Sequence, residues 1–292
     1  MKKRISVLFT AMLWFVHLHA ASAVINSSIS CDVNNVRLTS VTNVGSNVNL
    51  LSNSYNATEC AAYNGNDDQS GVSEPNPNIG QLGDGLLNGE GSFDYFQFVD
   101  NNDLQALDLD GINDDPGWIH LANLDADFSP TYSSIGPAPL GNGSTISPLQ
   151  LSQLLDIGFS CTSGSTGDCN AGTWSLTILN VNNIIETVQN VLGRAALFDQ
   201  LAISIKTSSF FGVYNFDFKD IFAAENNPNV LNLQTPYNLG GTFNTADLDG
   251  KGVSHINVWA RDPAQTTEVS APPLALLFVG AVTLIISIRR RH

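Results

Sequence analysis

Period-two alternation in short runs is what most constrains this chain. Leu201-Ala-Ile-Ser-Ile-Lys206 places Leu201, Ile203 and Ile205 on one side of an extended segment, and Tyr214, Phe216 and Phe218 repeat the pattern. Successive side chains of a strand point to opposite faces, so this alternation marks half-buried antiparallel strands. Runs at 33–44, 93–99, 118–124, 151–160, 172–179, 242–245 and 253–260 add further short strands. Turn-forming text such as Asn64-Gly-Asn-Asp-Asp-Gln-Ser-Gly71 separates them, and 129–147 reads as a Pro/Gly/Ser connector. Residues 184–192 fit a helix or a strand, and no long amphipathic helix competes. The expected fold is all-β, a mainly antiparallel sandwich or jelly-roll-like domain.

The two ends follow different rules. Met1-Lys2-Lys3-Arg4, an apolar stretch over 5–20 and Ala21-Ser22-Ala23 have the order of charge, short apolar core and small residues that a secretory signal peptide needs. Residues 1–23 are therefore expected to be removed by signal peptidase. At the other end, 274–288 is apolar apart from Thr283 and Ser287 and stops at Arg289-Arg290-Arg291-His292. That is the pattern of one transmembrane helix with a basic cytoplasmic end at 289–292. Between them lies an exterior domain, 24–265, with an alternative division into 24–147 and 148–265. A polar linker and sorting motif at 266–273 follows it.

Charge narrows the partners. Six of the 12 basic residues sit in the two ends, whereas all 27 acids lie between Asp32 and Glu268, so the exterior part carries a net charge of −21. Such a field opposes nucleic acid and anionic lipid. All four cysteines, Cys31, Cys60, Cys161 and Cys169, fall in the exported part, where an even number favours disulfides. Three pairings are open, and proximity favours Cys31–Cys60 with Cys161–Cys169.

The tail, Val269-Ser270-Ala271-Pro272-Pro273, a short apolar segment and Arg289-Arg290-Arg291, resembles a PEP-CTERM sorting signal, with Ser-Ala-Pro-Pro where the usual motif has Pro-Glu-Pro. A weaker resemblance to the exterior domains of such proteins covers about 160–262. The resemblance implies an exported surface or extracellular-matrix protein, held transiently in the inner membrane and processed by an exosortase-like enzyme. It also implies a setting of exopolysaccharide and biofilm. It implies no catalytic residue, and a non-enzymatic role is the expectation.

Three chemistries deserve a test against structure. Asp108, Asp110, Asn113, Asp114 and Asp115, with Asp103, Asp125 and Asp127 nearby, read first as a solvated acidic loop, with a calcium site as the alternative because calcium prefers several oxygen ligands, and Asp247-Leu-Asp249-Gly250 is a smaller one. Neither has EF-hand spacing. Core filling is the default for Trp118, Trp174 and Trp259, with Tyr214, at strand positions, and the alternative is a calcium-assisted carbohydrate-binding or adhesive module whose exposed rings stack on sugars. A secreted polysaccharide hydrolase would need His120 or His255 as a base, the latter paired with Asp217 or Asp220, and no G-x-S-x-G elbow accompanies it.

Overall fold

A computed structural model describes residues 26–67, 74–90, 98–108, 110–136, 148–164, 167–179, 184–194, 198–227 and 230–262. The segments expected to be a signal peptide (1–23), a sorting motif (266–273) and a membrane span (274–288), and most of the strand expected at 93–99, lie outside these residues. No helix among the described residues is long and apolar enough to cross a membrane.

Strands dominate. They are β1 (Asn26–Ile29), β2 (Val36–Asn43), β3 (Tyr55–Asn56), β4 (Glu59–Asn64), β5 (Trp118–Asp125), β6 (Pro130–Tyr132), β7 (Ser134–Ile135), β8 (Leu149–Gln150), β9 (Leu155–Ser163) and β10 (Ala171–Ile178). After the helix α1 (Ile184–Leu192) come β11 (Gln200–Lys206), β12 (Phe210–Asp217), the helix α2 (Phe218–Glu225), β13 (Tyr237–Asn244) and β14 (His255–Arg261). A seven-stranded antiparallel sheet runs β1-β4-β12-β11-β14-β5-β6, a five-stranded one runs β3-β2-β13-β10-β9, and β7 pairs with β8.

The two larger sheets share one core. Leu201, Ile203, Ile205, Tyr214, Phe216, Ile256 and Val258 from the seven-stranded sheet pack with Val36, Leu38, Trp174, Leu176 and Phe243 from the five-stranded sheet. The Trp174 and Phe216 rings meet across the gap at 5.9 Å. This is a β-sandwich, as period-two alternation leads one to expect. Each sheet draws strands from both sides of residue 147: β4 lies beside β12, β5 beside β14, and β2 beside β13. Strands from the two sides of residue 147 therefore interleave in both larger sheets.

Two local expectations are corrected. Phe218 does not continue the strand of Tyr214 and Phe216. It opens α2, because the Asp217 carboxylate accepts the Lys219 backbone N–H at 2.8 Å and caps the helix. The 129–147 connector contains β6 and β7 before passing outside the described residues.

The outer face of the seven-stranded sheet is not a solvent face. Tyr63, Ala202, Phe211, Val213, Trp118 and Trp259 project from it and pack under Leu86, Leu87, Phe98, Val99 and Leu104 from the loops before β5. Every residue of β11 and β14 is consequently buried. The polar positions that alternate along these strands are enclosed, and buried polar groups must find partners.

Candidate functional site

Beneath that loop cover, the end of the sheet where Lys206 faces His255 holds a chain of polar side chains. Register places His255 and Asn257 on β14, Ser204 on β11, and His120 and Asn123 on β5, all on the covered face. Asp67, fully buried, comes from the turn after β4.

Donors converge on Asp67. His255 Nε2 lies 2.7 Å from Asp67 Oδ1, and Ser204 Oγ donates to Oδ2 at 2.5 Å. Asn257 Nδ2 also donates to Oδ2, at 3.4 Å. Burial alone would raise the Asp67 carboxyl, but the hydrogen bond and charge of His255, with Ser204 and the residue's own backbone N–H, hold it below its ordinary value. The chain continues outward. His120 Nε2 sits 3.0 Å from Asn257 Oδ1, which also accepts from Asn123 Nδ2 at 2.9 Å, while His120 Nδ1 sits 2.6 Å from Ser133 Oγ.

Proton positions follow from these contacts. Burial depresses His120 to about 4, with the Asn257 hydrogen bond opposing the shift, so the ring is neutral near pH 7. Asn257 Oδ1 can only accept, which assigns the ring hydrogen to Nε2 and makes Nδ1 the acceptor of the Ser133 hydroxyl. Ser204 is thereby a donor to a carboxylate, with no imidazole to take its proton. A serine nucleophile requires the histidine between serine and aspartate, whereas here the aspartate lies between them.

The expected partner of His255 is corrected. Asp217 pairs with Gln200 at the opposite end of β11 from Lys206, six residues along, or about 20 Å at roughly 3.3 Å per residue. Asp220 lies in α2 beyond it.

A second buried cluster occupies that opposite end. Arg261 is fully buried, with Nη1 3.2 Å from Asp199 Oδ2, Nε donating to Pro116 O at 2.9 Å and Nη2 donating to Asp103 O at 2.6 Å. Lys219 Nζ reaches Asp199 Oδ2 at 2.7 Å and Arg194 Nε reaches Asp262 Oδ2 at 3.0 Å. These contacts tie the loop cover and α2 to the ends of the central strands β11 and β14.

The acidic loop is organised around its own backbone. Asp115 is buried, and its carboxylate accepts the N–H groups of Leu82 at 2.7 Å, of Asp108 at 3.2 Å and of Leu107. Asp108 accepts from Asp110 N at 3.0 Å and Asp110 from Ile112 N at 2.7 Å, while Asn113 is exposed. Asp127 closes a turn to Ser129 N at 2.9 Å. Burial and the charges of Asp115, Asp110 and Asp108 raise the Asp114 carboxyl. Among the described residues no three His, Cys, Asp or Glu side chains gather to hold a metal ion. Asp247 instead accepts the Tyr214 hydroxyl at 2.8 Å and the Asp32 N–H at 2.9 Å.

Trp118, Trp174, Trp259 and Tyr214 are all interior. They fill the core, the default for tryptophan at strand positions, and a ring covered on both faces offers nothing for a sugar to stack on. The cysteines pair Cys31–Cys60, fastening the chain before β2 to β4, and Cys161–Cys169, closing the β9–β10 turn.

No protein-family model matches this chain, and comparison with curated proteins and with solved structures yields no match.

Proposed function

We propose that the chain is an exported, non-enzymatic surface or extracellular-matrix protein, delivered through its leader and sorted through its PEP-CTERM-like tail. The observation that supports this reading best is the cysteine chemistry: all four are joined in two disulfides, which form and persist in an oxidising compartment. The buried histidines, serines and carboxylates hold the sheet to its loop cover, which fits a stable module better than a catalytic one. The partners this reading needs are signal peptidase, an exosortase-like sorting enzyme, the inner membrane during sorting, and extracellular polysaccharide afterwards.

Mass spectrometry of the protein recovered from its own cells tests the proposal. The expected mature chain begins at Val24 and lacks the residues beyond about Pro273. A chain that retains Met1, or one that keeps Arg289 to His292 in cells with a sorting enzyme, would overturn it. The adhesive and hydrolase alternatives draw no support from the interior tryptophans or from Ser204, whose hydroxyl donates to Asp67.

A further inference from the structure

At the end of the seven-stranded sheet where β12 leads into α2, four polar side chains share the loop-covered face. Register fixes their placement. Phe211 and Val213 of β12 project under the cover, and Asn215 and Asp217 follow them at the same period. Glu59 of β4 lies opposite Asn215, in step with Ala61 and Tyr63, and Gln200 of β11 lies opposite Asp217, in step with Ala202. With strands about 4.8 Å apart and a rise of about 3.3 Å per residue, a point midway between Asn215 and Asp217 is within about 6 Å of all four Cα positions, measured in the plane of the sheet.

Two of the four side chains are unsatisfied. Asn215 is fully buried, and neither its amide oxygen nor its amide nitrogen has a hydrogen-bond partner. Gln200 is 5% exposed, and its Oε1 is likewise unmet. Buried amide groups left unmet are costly, and a ligand that draws on their oxygens removes part of that cost.

The carboxylates add a second requirement. Partial desolvation raises the Glu59 carboxyl, the nearby Asn215 amide eases it back without reaching hydrogen-bond geometry, and the charges of Asp217, Asp100 and Asp220 raise it further. Burial, with the charges of Asp199 and Asp220, raises Asp217 against its cap bond to Lys219 N. The neighbouring cations, Lys219 and Arg261, are both committed to Asp199. A water molecule completes the amides but leaves the two carboxylates unneutralised. A hard divalent cation does both, and calcium accepts six to eight carboxylate and amide oxygens in flexible geometry, whereas magnesium demands a near-ideal octahedron and gives up its own waters reluctantly.

We propose that the carboxylates of Glu59 and Asp217 and the amide oxygens of Asn215 and Gln200 form a calcium site, entered from the exposed Glu59 side.

Calorimetric titration of the full-length protein in detergent, stripped of metal with EGTA and dialysed, against calcium chloride tests this independently of how the chain is sorted. One calcium per chain is expected, with a dissociation constant on the order of 10⁻⁴–10⁻³ M, the range of extracellular modules. Glu59→Gln, a change at an exposed side chain, should weaken binding at least about tenfold, because affinity follows ligand charge, while Asp110→Asn in the acidic loop should leave it unchanged. Calcium should also raise the urea midpoint of the wild type. Asn215→Leu replaces an unmet amide with an apolar group of similar shape, so it should keep or raise the midpoint in EGTA and abolish the calcium-dependent rise. No heat at about 10 mM calcium, ten times the weaker limit, overturns the site and leaves the amides to water alone. Binding that survives Glu59→Gln, or is lost in Asp110→Asn, overturns its placement, and magnesium that binds as tightly overturns the choice of ion.

Discussion

Two enclosed side chains show what the loop cover demands of single residues. His120 is neutral in the folded protein because burial lowers it to about 4, whereas the unfolded chain protonates it near 6.5. Below pH 6.5 the unfolded state therefore binds the extra proton, and stability falls with pH until the folded pKa is reached. Over that window the contribution lost is on the order of 3 kcal/mol. Raised carboxyls such as Glu59 and Asp217 act in the opposite direction, so the comparison must be with a variant. His120→Gln is expected to flatten the wild-type decline in urea midpoint between pH 7 and 4.5. Parallel pH profiles would show that His120 is not the group. Arg261 answers to charge: Arg261→Met leaves Asp199 with Lys219 alone and two backbone carbonyls without their donor. It should cost about 3–5 kcal/mol by urea unfolding.

Strand packing is tightest where β13 crosses between β10 and β2. A Cβ on Gly241 would sit 2.0 Å from Arg37 O and 2.3 Å from Trp174 Cε2. Gly241→Ala must displace either the β2 backbone or the indole, and a cost of about 2 kcal/mol is expected. Near-UV circular dichroism should report the moved Trp174, and an unchanged spectrum with an unchanged midpoint would contradict the packing. The strands themselves were legible, because alternation at 172–179, 201–206 and 253–260 depends only on local pattern. The helix at α2 was also written in the chain, through Asp217 as cap and Asp220 three residues later, but the aromatic repeat at Tyr214, Phe216 and Phe218 obscured it. The cover was not legible. Ser204, Lys206, His255 and Asn257 alternate with apolar residues as a solvated face would, and only long-range packing of loops with no period of their own encloses them. Asp67 shares that fate: within Asn64-Gly-Asn-Asp-Asp-Gln-Ser-Gly71 nothing local distinguishes it from its neighbours.

Across the whole molecule, the disulfides connect stability to location. Cys31–Cys60 spans 29 residues and Cys161–Cys169 spans 8, so cross-linking constrains the unfolded chain by about 3.5 and 2.5 kcal/mol respectively. The first bond should matter more, and Cys31→Ala with Cys60→Ala should lower the urea midpoint further than Cys161→Ala with Cys169→Ala. The two loops share no residues, so their effects should add to about 6 kcal/mol, against a typical domain stability of about 5–15 kcal/mol. A chain kept in a reducing cytosol would then lose a large part of its margin while retaining every apolar contact of the sandwich. Urea unfolding of the full-length protein with and without a thiol reductant, the reduced thiols being capped, measures this directly. A reduced midpoint lowered by a third or more of the oxidised value makes export a condition of stable folding. An unchanged midpoint would mean that the shared core suffices and that the cysteines reflect the compartment without contributing to the fold.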